Sequence, residues 1–122
     1  MPGRLTTHVL DLVHGRPAAG MAIEVFRVVP DGETEQRERL AVVRTNAEGR
    51  TDGPLVAGEA LQPGMYELVF AVGDYFAAVG RANAAIPFLD RVPVRFGIAD
   101  PDANYHVPLL VSPWAYSTYR GS

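Results

Sequence analysis

The composition of this 122-residue chain excludes several classes of function before any motif is considered. Cysteine is absent and all 11 basic residues are arginine, which excludes disulfides, thiolate metal sites, cysteine nucleophiles and lysine chemistry. A net charge of −3 with scattered arginines offers no basic face for nucleic acid, and the apolar runs are too short to span a membrane. We therefore expect one domain over residues 1–122, whose catalytic groups come from histidine, carboxylates, hydroxyls or arginine.

Short strands separated by turns account for most of the chain. Twelve glycines and 10 prolines punctuate it at short intervals, as is typical of all-β domains. A strand pattern begins by Leu5, which leaves no room for a signal peptide, so we expect a cytoplasmic location. Strands are predicted at residues 5–13, 21–29, 40–45, 65–72, 91–98, 105–111 and 115–121.

The segments between these strands have turn, loop or helix composition. Residues 14–17 and 46–49 are predicted turns, and the charged residues 33–39 are predicted to form an exposed hairpin loop. Residues 73–80 form the one plausible helix, with Asp74 available as a cap. Seven or eight short strands with one short helix predict an all-β sandwich.

Two histidines lie in predicted strands. His8 shares a strand face with Thr6 and Leu10, and His106 shares one with Pro108. Taken alone, His8 is better explained as a strand histidine whose ring bonds to a neighbouring hydroxyl, and His106 as a half-exposed strand residue. The pattern therefore names two candidates for acid–base chemistry without assigning a role to either.

Arg50 and the C-terminal segment are the other candidates. Arg50 lies between two turn motifs, which suits its guanidinium to grip a planar, oxygen-rich ligand, although it is also one of eleven ordinary arginines. Residues 105–122 are rich in aromatic and hydroxyl side chains, whereas chain ends are usually frayed and uninformative. We expect this terminus to be tied into the fold, to line a site and, near a sheet edge, to favour pairing with a second chain.

Four motifs in order resemble one family over nearly the whole chain. They are Leu-Thr-Thr-His-Val-Leu-Asp at residues 5–11, Thr-Asn-Ala-Glu-Gly-Arg at 45–50, Tyr-His-Val-Pro-Leu-Leu at 105–110 and Ser-Thr-Tyr-Arg-Gly-Ser at 117–122. Together they resemble the 5-hydroxyisourate hydrolases, the transthyretin-related enzymes of urate breakdown. The terminal Tyr-Arg-Gly-Ser is the signature that separates these enzymes from their hormone-carrying relatives.

The resemblance implies a fold, a reaction and a set of residues. It implies a transthyretin-like sandwich that opens the N1–C6 bond of 5-hydroxyisourate to give 2-oxo-4-hydroxy-4-carboxy-5-ureidoimidazoline. Catalytic roles are implied for His8, Arg50, His106 and Ser122, and substrate contacts for His8, Arg50 and Tyr119. His106 is the favoured base, but which histidine takes the first proton stays open. No cofactor is implied, and three histidines without cysteine or tight spacing do not favour a metal site.

The resemblance also implies a homotetramer of two edge-paired dimers, with sites at the dimer–dimer interface. The main alternative is a transthyretin-like carrier that binds a small aromatic ligand in the tetramer channel. Such a carrier is expected to have apolar or non-basic groups where this chain has His8, Arg50 and His106. A third reading, a sandwich module for protein contacts, leaves the composition of the C-terminal tail unexplained.

Overall fold

The chain folds into two β-sheets packed face to face. The computed structural model describes residues 2–81 and 85–122. In the described residues the elements are β1 (Arg4–Asp11), β2 (Arg16–Pro17), β3 (Ala22–Asp31), β4 (Thr34–Arg44), β5 (Val56–Ala57), a 3₁₀ turn (Gly58–Ala60), β6 (Gly64–Ala71), α1 (Val72–Ala78), β7 (Arg91–Ile98), β8 (Tyr105–Val111) and β9 (Tyr116–Thr118). The first sheet has the order β2-β1-β8-β9 with β5 added to β1, and the second has the order β4-β3-β6-β7. This architecture confirms the predicted β-sandwich.

Alternation along the strands directs one face of each sheet into a shared core. In β1, Leu5, Thr7 and Val9 are buried, while the alternate residues Thr6 and His8 are half-exposed. The opposite sheet supplies Leu68 and Phe70 from β6, which are also fully buried. The outer faces of the sheets carry polar and charged side chains together with apolar ones such as Leu10 and Val42.

The predicted loop at residues 33–39 is wrong, because residues 34–39 belong to β4 and only Glu33 lies in the turn before it. β4 (Thr34–Arg44) pairs antiparallel with β3 along its whole length, from Asp31↔Thr34 to Ala22↔Arg44. Its run of charges resembles a solvated loop, but opposite charges on β6 and β7, farther across the same sheet, pair with it. Arg37 donates to Glu67 on β6 at 2.8 Å, and Glu35 pairs with Arg95 on β7.

The first strand ends two residues earlier than predicted because Asp11 organises a turn. Its Oδ1 accepts hydrogen bonds from the backbone N–H groups of Val13 and His14, and its Oδ2 contacts His14 Nδ1. The buried carboxylate also accepts a bond from Tyr75 Oη at 2.7 Å, which ties the turn to α1. Part of the predicted turn then returns to pair with β1 as the two-residue strand β2.

The helix and the last strand also differ from prediction. The helix covers Val72–Ala78, and no side chain among the described residues caps its N-terminus, so the predicted cap by Asp74 is wrong. Instead, the Gly73 N–H donates to the carbonyl of Asp90. The final strand is regular only at Tyr116–Thr118. β5 and the 3₁₀ turn were not predicted, since two or three residues carry too little periodicity.

None of the helices in the described residues has the length and apolar character needed to cross a membrane.

Candidate active site

The parallel pairing of β1 and β8 brings both strand histidines onto one outer face. The register places Thr6 opposite His106 and His8 opposite Pro108. These residues alternate with buried neighbours, and both imidazoles are half-exposed. Two histidines almost a chain length apart are therefore neighbours on the outer surface of the first sheet.

The turn that carries Arg50 is attached to β1 beside His8. Asn46 Oδ1 accepts hydrogen bonds from the backbone N–H groups of Glu48 at 2.9 Å and Arg50 at 3.2 Å, an arrangement typical of an Asx turn. Gly49, at φ 75°, accepts a hydrogen bond from the Val9 N–H at 2.8 Å. A side chain at Gly49 would collide with the Val9 carbonyl, so glycine allows the turn to contact the strand closely.

A carbonyl fixes the protonation of the His8 ring. His8 Nε2 lies 3.0 Å from the Glu48 carbonyl oxygen, in the same turn. A carbonyl only accepts hydrogen bonds, so Nε2 carries the proton and the lone pair of the neutral ring lies on Nδ1.

The C-terminal tail reaches the site by pairing with β8 on its other side. β9 pairs with β8 through Leu109↔Thr118, and Gly121 forms a separate antiparallel bridge with His106. Between them the ladder is interrupted at Pro108, which has no N–H to donate, and the Thr118 hydroxyl donates to its carbonyl at 2.7 Å. Pro108 therefore marks a local irregularity in the pairing of β8 with the tail.

A cavity of about 510 Å³ lies where these three segments meet. Three of the predicted catalytic residues, Arg50, His106 and Ser122, line it, and Thr6 lines it beside them. His8 does not line this cavity, but it lies two residues along β1 from Thr6 on the same face.

The positive charge of Arg50 affects the pKa of both imidazoles. Burial and the positive charge of Arg50 lower the pKa of His8 below its ordinary value of 6.5. Burial, Arg50 and then His8 lower the pKa of His106 in the same way. Both rings are therefore neutral at pH 7 and able to accept a proton. None of the ion pairs formed by the described residues includes Arg50.

Tyr119 does not join this cavity within one chain. It lines a second cavity of about 360 Å³ with Phe96 and Arg120, and its side chain is 60% exposed. Residues 119 and 120 lie beyond the end of β9 at Thr118, so regular strand alternation does not set the directions of their side chains. The single chain thus brings His8, His106, Arg50 and Ser122 together and leaves Tyr119 apart.

Two residues of the site were missed from the sequence. Thr6 contacts the His106 ring, and its shared face with His8 could have identified it once the β1–β8 pairing was known. Asn46 holds the turn that places Arg50, and an asparagine that opens a turn ending in glycine is a recognisable signal. Among the described parts of the chain no group of three or more histidine, aspartate or glutamate residues is arranged to hold a metal ion.

Comparison with known proteins agrees with this geometry. The sequence profile of the HIUase/Transthyretin family matches residues 5–121. A 5-hydroxyisourate hydrolase from Ralstonia nicotianae is 57% identical over 120 residues, which cover 98% of this chain and 99% of that protein. The structure of 5-hydroxyisourate hydrolase from Klebsiella pneumoniae superimposes with a TM-score of 0.78 at 36% identity, covering 98% of this chain and 100% of that one.

Two further solved structures share the fold. The crystal structure of (S)-allantoin synthase gives a TM-score of 0.91 at 46% identity over 99% of this chain, which spans only 44% of that longer chain. Transthyretin from Sparus aurata gives a TM-score of 0.83 at 27% identity, covering 97% of this chain and 96% of that one. The transthyretin-like form of the sandwich is thereby confirmed, and the chain belongs to the HIUase/Transthyretin family.

Proposed function

We propose that this chain hydrolyses 5-hydroxyisourate at its N1–C6 bond, giving 2-oxo-4-hydroxy-4-carboxy-5-ureidoimidazoline. One observation carries the proposal: two imidazoles are held next to an unpaired guanidinium that lowers the pKa of both. The proposed activity is the one for which the relatives are named. The 5-hydroxyisourate hydrolases of Ralstonia nicotianae and Pseudomonas aeruginosa are 57% and 54% identical to this chain over nearly its whole length.

His106 is the general base in this proposal. It lines the cavity, and its lowered pKa keeps the ring neutral at pH 7. Water attacks the C6 carbonyl and gives its proton to His106, which then returns the proton to N1 as the C6–N1 bond breaks. One water is consumed: its OH makes C6 a carboxylic acid, which releases its proton to solvent, and its other hydrogen forms the new N–H group.

His8 is the less suitable base because it does not line the cavity. Its Nε2 donates to the Glu48 carbonyl, which leaves only Nδ1 to exchange protons. We assign His8 to substrate contact and to proton traffic through Nδ1. This assignment narrows the choice between the two histidines that the sequence left open.

Arg50 and Ser122 supply polar contacts in the proposed mechanism. Negative charge develops on the C6 oxygen during attack, and a fixed cation that lines the cavity stabilises it. Arg50 also contacts the oxygens of the bound substrate through its guanidinium fork. Ser122 lines the same cavity and donates a hydrogen bond to the water or the substrate.

The proposal includes a homotetramer of two edge-paired dimers, with sites at the dimer–dimer interface. Large apolar side chains stand exposed in the single chain, including Ile86 at 85% and Phe88 at 77%, which supports association. Tyr119 lies away from the cavity of its own chain. We therefore propose that it contacts substrate in the site of a neighbouring chain of the tetramer. Sedimentation tests the tetramer, and cell fractionation tests the cytoplasmic location that we also propose.

The carrier alternative is weaker on the same geometry. A neighbour of known structure, sea bream transthyretin, was solved in complex with thyroxine, and this chain shares its fold at 28% identity. However, the cavity of this chain presents a guanidinium, an imidazole and hydroxyls rather than an apolar lining. Such groups suit hydrolysis better than storage of an aromatic ligand.

The proposal is tested by generating 5-hydroxyisourate from urate in situ and following its ultraviolet decay. Added protein is expected to accelerate the decay in proportion to its concentration, and boiled protein is the control. A decay rate that is unchanged by the protein would contradict the proposed function and favour the carrier.

A further inference from the structure

We infer that Thr6 is a positioning residue that holds the His106 imidazole with its proton on Nδ1, so that Nε2 presents its lone pair to the cavity. This inference rests on the proposed function for its catalytic meaning, but the state of the ring can be measured without any substrate. Thr6 touches His106 and is not assigned a contact with the reacting atoms.

The pairing of the strands places the threonine hydroxyl against one ring nitrogen. Thr6 and His106 are direct partners in the parallel β1–β8 register, and Thr6 Oγ1 lies 2.9 Å from His106 Nδ1. Because Nδ1 is engaged by the hydroxyl, Nε2 is the ring nitrogen left for water or substrate. Both side chains line the same cavity, so the contact is made at the edge of the site itself.

The tail limits the movement of the ring from its other side. The Gly121 N–H donates to the His106 carbonyl at 2.7 Å. A Cβ at Gly121 would lie 2.6 Å from His106 Cδ2, which is closer than real Cβ contacts allow. The ring is thus confined between the Thr6 hydroxyl and the Gly121 backbone, and rotation that breaks the Thr6 contact is hindered.

The chemistry of the hydroxyl explains why a threonine suits a base. A hydroxyl accepts from Nδ1–H in the neutral ring, and it keeps accepting when Nε2 has taken a proton. The ring is then positively charged, so the Nδ1–H···Oγ1 bond becomes charge-assisted and stronger. The interaction therefore stabilises the state formed during proton transfer more than the resting state, which is the condition for a contribution to catalysis.

The experiment compares the wild type with Thr6→Val and Thr6→Ser. In the wild type, ¹⁵N NMR of the imidazoles at a pH above their titration is expected to show His106 protonated on Nδ1. Thr6→Val keeps the shape of the side chain but removes the acceptor, so protonation is expected to shift toward Nε2. Thr6→Ser restores the hydroxyl and is expected to restore the wild-type pattern.

Turnover gives a second readout. The gain in strength when the ring becomes charged is about that of one ordinary hydrogen bond, which corresponds to about a tenfold change in rate. We expect Thr6→Val to lower kcat by about this factor with little change in KM, and Thr6→Ser to recover most of the loss.

Thr7→Val is the matched control. Thr7 is the next residue on β1, and its hydroxyl donates to the Val107 carbonyl at 2.7 Å, so it also joins β1 to β8. Its replacement is expected to lower Tm but to leave the ¹⁵N signals of His106 unchanged. A change in those signals for Thr6→Val alone separates positioning of the ring from general support of the sheet.

Two results would overturn the inference: a wild-type His106 protonated on Nε2, or a Thr6→Val protein with the wild-type nitrogen signals and turnover. If Thr6→Val fails to fold, the wild-type and Thr6→Ser spectra still decide the protonation of Nδ1. A wild type without hydrolase activity contradicts the proposed function alone, because the spectra test the Thr6 contact independently.

Discussion

The outer faces of the two sheets use their charges in different ways. On the second sheet, Glu67 pairs with Arg37 at 2.8 Å and with Arg95 at 3.2 Å. Glu24 on the same sheet pairs with Arg39 at 3.5 Å and with Arg91. Each of these carboxylates has two arginine partners, so its negative charge is neutralised within the sheet. These ion pairs contribute mainly to stability.

The face of the first sheet is arranged in the opposite way. Arg50 has no ion-pair partner among residues 2–81 and 85–122, and the groups it influences are neutral imidazoles. An unpaired cation beside two rings of lowered pKa is costly for stability and useful for hydrolysis. The comparison indicates that paired charges hold one sheet together while unpaired charges form the site on the other.

The largest effect is expected from removal of the proposed base. His106→Asn keeps a polar side chain of similar size but cannot accept a proton at neutral pH. Turnover is expected to fall by about 10²–10⁴-fold, as loss of a general base does. Initial rates of 5-hydroxyisourate decay measure this effect, with circular dichroism to verify the fold. Near-wild-type rates would remove His106 from the mechanism.

A smaller loss is expected from Arg50→Gln, and the same change on the other sheet provides its control. Loss of the cation that stabilises the developing oxyanion is expected to cost about 10²–10³-fold in kcat. Arg39→Gln removes an equal charge from an exposed pair with Glu24 and is expected to leave kcat unchanged. An equal fall in kcat for Arg50→Gln and Arg39→Gln would contradict the claim that only the arginine beside the imidazoles acts in hydrolysis.

Substitution on the second sheet is expected to act on stability. Glu67→Gln retains the packing of a buried side chain but removes the charge that pairs with Arg37 and Arg95. Both arginines are partly exposed and can be hydrated, so the free energy of unfolding is expected to fall by only about 1–2 kcal/mol. Urea denaturation measures the loss. A parallel loss of turnover would show that this face is coupled to the site.

The sequence predicts the strands better than it predicts their partners. The predicted strands at 91–98 and 105–111 match β7 and β8 residue for residue, because alternation is a local property of the chain. The charged residues 33–39 were misassigned because their partners lie on other strands. The parallel β1–β8 pairing, which joins distant segments, has no local signal at all.

The same limit applies to the site. Similarity to a family identified His8, Arg50, His106 and Ser122, and the structure brings them close together. The structure leaves Tyr119 outside this group. Pro108 interrupts the pairing of β8 with the C-terminal tail, and the side chains beyond β9 no longer alternate regularly. The protonation of His8 also depends on a contact with the Glu48 carbonyl that only the folded chain creates.

The central claim is that Arg50 acts on both imidazoles, and an NMR titration of His8 and His106 tests it most directly. Burial and Arg50 lower both pKa values below 6.5 in the wild type. Without the cation, both pKa values are expected to rise in Arg50→Gln. That of His106 is expected to stay below 6.5, because burial and the charge of His8 still lower it. Arg39→Gln is expected to leave both titrations unchanged. Unchanged pKa values in Arg50→Gln would contradict the convergence of these three residues on one site.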